Sequence, residues 1–173
     1  MNGQPQVLGI FEKSPGFFCA VTLRLVARGE MLVSFRGFAP VAEQTRHSIQ
    51  IGARRHIDTL EASRFEADDF LNHCCSPNAF FDTLTIEVRA LKDIEPGEEV
   101  VLNYCATEEE LVEPFKCECG SPDCYGMVRG FRFLSQSQQE ALRDIASPWL
   151  KTKYGLLDSR PGASTSEIIG DTR

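Results

Sequence analysis

Asn72-His73-Cys74-Cys75-Ser76-Pro77-Asn78 places two amides, an imidazole, two thiols and a proline within seven residues. Pro77 fixes its own φ and drives Ser76 toward extended geometry. The stretch is therefore an irregular turn, not a helix interior or the centre of a sheet. Asx side chains in such turns often bond only the local backbone. Two downstream segments point to a larger role. Gly97-Glu98-Glu99-Val100-Val101-Leu102-Asn103-Tyr104 is an apolar run that ends in a tyrosine. Cys117-Glu118-Cys119-Gly120-Ser121-Pro122-Asp123-Cys124 gathers three thiols around a Gly-Ser-Pro turn.

Those three thiols suit a thiolate cage for zinc, which takes four ligands in a structural site. The local cluster supplies only Cys117, Cys119 and Cys124. The alternative is a set of reduced thiols packed as small hydrophobes, the reading given to Cys19 and Cys105. A reducing compartment fits all seven cysteines of the 173-residue chain as metal ligands or free thiols, because it disfavours disulfides. The residues Met1-Asn2-Gly3-Gln4-Pro5 lack the basic and apolar regions of a signal peptide, so a nuclear or cytoplasmic location is expected. No apolar run reaches membrane-spanning length. The net charge of −7 disfavours direct contact with a nucleic-acid backbone and suits a basic peptide, or serves solubility alone.

Taken together, the order and spacing of the three motifs resemble the SET-domain family of protein lysine methyltransferases, over about residues 7 to 130. The family pattern reads Asn-His-Ser-Cys-x-Pro-Asn, then Gly-Glu-Glu-Leu-x-Φ-Asp-Tyr, then a post-SET Cys-x-Cys followed by a third cysteine. This chain carries Cys74 for the serine and Asn103 for the aspartate. The resemblance implies a fold that is mostly β with short helices, in which small antiparallel sheets surround a pseudoknot. It divides the chain into a SET domain over 1–114, a post-SET zinc knuckle over 115–130 and a C-terminal helical extension over 131–154. The composition beyond residue 155 reads as a disordered tail. The oligomeric state is left open.

The resemblance also implies a chemistry. Methyl transfer from the sulfonium of S-adenosylmethionine to a lysine amine is an in-line displacement that needs a neutral amine, alignment and exclusion of water. Tyr104 takes the place of the family's catalytic phenol and also borders the donor. Asn72 through its side chain, and His73 largely through backbone, are expected at S-adenosylmethionine. The backbone of Phe17, Phe18 and Cys19 replaces a Gly-x-Gly at the methionine end, and Gly16 falls one residue early. Phe115 closes over the adenine or anchors the knuckle. Leu102 and Phe35 line the lysine channel. Zinc is expected on Cys75, Cys117, Cys119 and Cys124, with Cys74 the less favoured fourth ligand. Asp69 stands where the family usually has arginine. The leading reading is a protein lysine methyltransferase acting on a histone tail or another basic peptide. The alternatives are a non-methylating binding module on the same fold and a SET-scaffold enzyme that modifies a small molecule.

Periodicity adds the secondary structure. Val7 to Phe11 and Phe17 to Val21 read as strands around Ser14-Pro15-Gly16, and Met31 to Phe35 as a third. Phe35-Arg36-Gly37-Phe38 stands for a family aromatic-x-Gly-Glu. His47 to Ile51 and Arg54 to Asp58 read as a hairpin, Phe65 to Leu71 as a helical turn, and Phe81 to Ala90 as β-rich. Thr107-Glu108-Glu109-Glu110 has the form of a capping box that starts a short helix. Ser135-Gln136-Ser137-Gln138 is a second box, opening a helix with Leu134, Leu142 and Ile145 on one face and Pro148 as its stop.

Overall fold

The computed structural model describes residues 6–35, 38–59 and 66–157. In chain order the strands are β1 (Leu8–Ser14), β2 (Phe17–Thr22), β3 (Met31–Ser34), β4 (Phe38–Val41), β5 (Ile49–Gly52) and β6 (Arg55–Thr59), followed by β7 (Asn72–His73), β8 (Ala79–Asp82) and β9 (Glu87–Ala90). β10 (Val101–Leu102), β11 (Phe115–Lys116) and β12 (Met127–Val128) complete them, and the helices are α1 (Gln136–Ala141) and α2 (Pro148–Lys153). The sheets are small: β1-β2, β10-β7 and β11-β12 are pairs, while β3-β9-β8 and β4-β6-β5 have three strands. The expected β1-β2 and β5-β6 hairpins are antiparallel, and the β-rich stretch near Phe81 to Ala90 forms a third antiparallel pair, β8-β9. Gly16 closes the first at φ 78°, a left-handed conformation open to glycine at little cost.

The pair β7-β10 is parallel, with Asn72 opposite Val101 and His73 opposite Leu102. The turn after β7 stays bonded to β10. Cys74 N–H donates to the Leu102 carbonyl at 2.8 Å and Asn78 N–H to the Val101 carbonyl at 3.3 Å. Asn78 Oδ1 accepts the Val101 N–H at 2.9 Å, and on the other side Val100 N–H donates to the Ala20 carbonyl. The Asn72–Asn78 segment is thus fastened across β10, and β10 in turn across β2.

Two apolar cores hold this arrangement. Val26, Val88, Ile94 and Val100 are fully buried in the first, with Leu71 and Leu102 beside them. Val128, Phe131, Leu150 and Cys105 are fully buried in the second, which packs α1 and α2 against the cysteine segment. Each fully buried aliphatic side chain contributes about 1.5–3 kcal/mol.

Three expectations are corrected. Thr107 starts no helix: a 3-10 turn over Tyr104–Ala106 ends there, and the Glu108 carboxylate turns inward to accept the Gln50 N–H. Pro148 does not simply stop the first helix, which already ends at Ala141; it opens α2, where its missing N–H is harmless, behind the Ser147 cap. The packed chain runs past 154, since Leu156 is buried in the second core. The Ser135 capping box forms as expected, and a 3-10 turn over Ala67–Phe70 leads into β7. The remaining expectations, on Met1 to Pro5, Arg36-Gly37, Phe65 and the tail over 158–173, lie outside the described residues. Among the described residues no helix is long and apolar enough to cross a membrane.

Candidate active site and metal centre

Tyr104 sits at the start of the 3-10 turn that follows β10, partly buried against the first core. Its hydroxyl donates to the Leu71 carbonyl at 2.8 Å, and its N–H donates to His73 Nδ1 at 3.2 Å. Burial pushes the phenol up to about 12, so it is neutral near pH 7. Because its proton is held by Leu71, the oxygen keeps its lone pairs for an incoming N–H. Burial also lowers the His73 imidazole to about 4. The neutral ring accepts at Nδ1 and carries its proton on Nε2, which lies 3.4 Å from Cys75 Sγ.

Aromatic rings gather around this histidine. The His73 centroid lies 5.2 Å from Tyr104, 5.5 Å from Phe115 and 6.4 Å from Tyr125. Tyr104 and Phe115 meet edge to face at 6.1 Å. Phe115 thus stands beside both the histidine and the phenol. On the other flank, Asn72 Nδ2 donates to the Phe18 carbonyl at 2.9 Å and to Glu99 Oε1 at 3.1 Å. Glu99 Oε2 holds Lys13 Nζ at 2.6 Å. The structure therefore joins Phe18 to Asn72. Cys19 is buried behind that strand, while the Phe17 ring is half exposed with Lys13 above it. Leu102 is buried in the first core, and Phe35 packs on Phe81 with centroids 5.4 Å apart.

The Sγ atoms of Cys75, Cys117, Cys119 and Cys124 all lie within 4.8 Å of one another. Cys75 and Cys117 are 3.8 Å apart, matching the edge of about 3.8 Å for a tetrahedron of zinc–sulfur bonds. Cys75 Sγ also accepts the Tyr125 N–H at 3.3 Å, as a thiolate does. The donor set thus fits zinc, and Cys74 stands outside the quartet. β11 and β12 carry the knuckle on the second core.

Residues to which the sequence assigned no role complete the site. Asn103 Nδ2 donates to the Cys75 carbonyl at 3.3 Å and to Tyr125 Oη at 2.9 Å, while its Oδ1 accepts the Cys105 N–H. An aspartate there would set a carboxylate against the Cys75 carbonyl, so the amide suits this chain. Asn78 ties the turn to Glu98 and to the Glu99 carbonyl. Tyr125 follows the last cysteine directly, and that adjacency was its only sequence signal.

Comparison with known proteins agrees with this geometry. The SET domain profile matches residues 17–105. Methyltransferase flvH of Aspergillus flavus is 29% identical over 136 residues, covering 77% of this chain and 74% of that protein. A histone-lysine N-methyltransferase, H3 lysine-36 specific, from Aspergillus oryzae is 37% identical over 67 residues. That match spans 35% of this chain and only 7% of the relative's length. Among solved structures, KRYPTONITE in complex with mCHG DNA and SAH aligns with a TM-score of 0.56 at 18% identity, over 69% of this chain and 28% of that one. The methyltransferase domain of human histone-lysine N-methyltransferase SETMAR aligns at 0.53 and 17%, over 71% of this chain and 58% of that one. With its motifs, its fold and the profile match in agreement, the chain belongs to the SET-domain family of methyltransferases.

Proposed function

We propose that the chain transfers methyl groups from S-adenosylmethionine to lysine side chains of a protein, with a histone tail as the default substrate. The observation that carries this reading is the Tyr104 hydroxyl: buried, neutral, its proton given to Leu71, and walled by His73 and Phe115. The histone-lysine relatives and the neighbour solved with an H3(1-15) peptide and SAH support the substrate class. The net charge of −7 suits a basic tail and disfavours direct contact with nucleic acid. Free thiols and a metal-binding quartet suit a nuclear or cytoplasmic setting.

The donor site lies between Asn72, the Phe18 carbonyl and the Phe115 ring, with the backbone of Phe17 and Cys19 on either side of Phe18. A carbonyl and a carboxylate converging on one amide suit polar ligand groups, and an aromatic face beside His73 suits a flat base. The bound donor supplies the electrophilic methyl. Tyr104 accepts a hydrogen bond from the substrate amine and aligns its lone pair. Leu102 and Phe35 give that amine an apolar surround, which lowers its proton affinity and excludes water. No strong base is needed at the carbon. Cys75, Cys117, Cys119 and Cys124 would hold zinc, which would join the C-terminal segment to the Asn72 turn.

Calorimetry with S-adenosylmethionine tests the donor site. Wild type should bind, and Asn72→Ala should weaken binding at least tenfold, on the order of 1.4 kcal/mol or more. No heat with the wild type would leave a non-methylating SET fold. The flvH relative, matched along most of both chains, is named only as a methyltransferase. That name leaves the acceptor open, so a screen of small amines with the same donor tests the second reading, a non-protein acceptor.

A further inference from the structure

The turn after Tyr104 joins three parts of the molecule at one side chain. Glu108 is only 5% exposed. Its Oε1 accepts the Gln50 N–H at 2.8 Å and its Oε2 accepts Gln44 Nε2 at 3.1 Å. Its own N–H donates to the Tyr104 carbonyl at 2.9 Å, and its carbonyl accepts the Phe131 N–H at 2.8 Å. The neighbouring groups repeat the pattern. Gln50 Oε1 accepts the Glu109 N–H at 2.8 Å, and Gln44 Nε2 reaches the Glu110 carbonyl at 2.8 Å. Gln50 lies on β5 and Gln44 on the loop between β4 and β5, so both ends of that loop are tied to the chain just beyond the phenol.

That loop borders the active site. It is bonded through Gln44 and Gln50 to Glu108, whose N–H donates to the Tyr104 carbonyl, and its Arg46 lies 4.0 Å from Glu113. Ile49 packs on the first core and β5 touches α2, but next to these bonds the sheet stands off the turn over Glu109 and Glu110. A cavity of about 350 Å³ lies between them, lined by Gln44, Gln50, Arg54, His56, Glu109 and Glu110. On this side, then, polar bonds centred on one carboxylate hold the β4-β6-β5 sheet in place.

We propose that Glu108 is a positioning residue for the protein substrate: through Gln50 and Gln44 it fixes the loop over residues 42–48 at the mouth of the Tyr104 site. This inference rests on the methyl-transfer reading and adds to it which part of the molecule sets substrate affinity. Glu108 touches neither donor nor acceptor. Its effect falls on productive docking of the lysine, not on the transfer step once the amine is seated.

The test compares wild type, Glu108→Gln and the milder Gln44→Ala, with recombinant histone H3 as probe substrate at saturating S-adenosylmethionine. In Glu108→Gln the amide keeps one acceptor oxygen and sets an N–H against the other of the two donors, the Gln50 N–H or Gln44 Nε2. The apparent KM for H3 should rise about tenfold in Glu108→Gln and about threefold in Gln44→Ala, with kcat changed less than twofold. The donor Kd from calorimetry should stay within twofold of wild type. Hydrogen exchange should quicken over residues 42–52 and not over β7 or β10. A KM unchanged in both variants overturns the proposal, as does a parallel loss of donor affinity, which would mark Glu108 as a general brace. If wild type modifies no H3, the histone-substrate reading fails by itself. The exchange data then decide the anchoring claim: faster exchange confined to 42–52 upholds it, and unchanged exchange in both variants overturns it.

Discussion

Tyr104 shows how one side chain acquires a role from its neighbours. Its proton is given to Leu71, its ring is packed, and its oxygen is left as an acceptor. Tyr104→Phe removes that acceptor and leaves the Leu71 carbonyl unpaired, at a cost of about 1 kcal/mol in stability. kcat should fall by about two orders of magnitude, the scale of a positioned transition-state contact, while the donor Kd holds. Unchanged turnover would remove the phenol from the mechanism. Glu108 gives a second residue-scale prediction. Burial lifts its carboxyl from 4.5 to about 7. The folded state therefore holds this proton more tightly than the unfolded chain. The stability it adds is full below about pH 4.5 and is lost as pH rises through about 7, a span of roughly 3 kcal/mol. The other titratable groups of the cleft are Glu109, paired with Lys153 and Tyr154, Glu110, paired with Arg132, and His56, which burial holds below the usual imidazole range. Urea denaturation near pH 5 and near pH 8 should show wild type losing more stability between them than Glu108→Gln; equal losses would contradict the assignment. Asn72, Cys75 and Tyr104 could be singled out in the sequence because they match the family pattern, and the structure brings them to one region. Asn103, Tyr125 and Glu108 were not, because their partners are set by tertiary packing across the chain.

At the scale of elements, the hairpins were readable from alternation and turn residues, and the Ser135 box from its local bonds. The Thr107 box misled because its closing residue, Glu110, pairs with Arg132 instead, and Glu108 inside the box turns inward to accept the buried Gln50 N–H. Pro148 misled because the same residue that ends one helix can begin another. The cysteine knuckle is the element with the clearest test. Cys119→Ser removes one of four ligands, so elemental analysis should show zinc lost, and hydrogen exchange should show residues 115–126 loosened. Because Phe115 and Tyr125 stand against His73, donor affinity should fall too. Metal-free protein with an unchanged melting temperature would sink the zinc assignment. Gly130 tests the join between the two halves of the chain. It sits at φ 118°, and a Cβ there would lie 2.5 Å from the Glu109 carbonyl oxygen. Gly130→Ala should cost about 2–4 kcal/mol, by strain and by displacing the turn that Phe131 bonds. Chemical denaturation would measure it, and a neutral effect would contradict that geometry.

Over the whole molecule, one core carries the sheets and the phenol, and the other carries the knuckle and the helices. The site lies where they meet: Tyr104 packs on the first, Phe115 on the second, and His73 contacts both rings. The polar part of the docking of the β4-β6-β5 sheet was not visible in the sequence, because Gln44 and Gln50 carry no motif. The chain carries a net charge of −7. Mass spectrometry of core histones incubated with the protein and S-adenosylmethionine tests the central claim most directly. The account predicts histone lysines carrying one or more added methyl groups with wild type and almost none with Tyr104→Phe. Unmodified histones with a wild type that binds the donor, or equal methylation by both proteins, would contradict it.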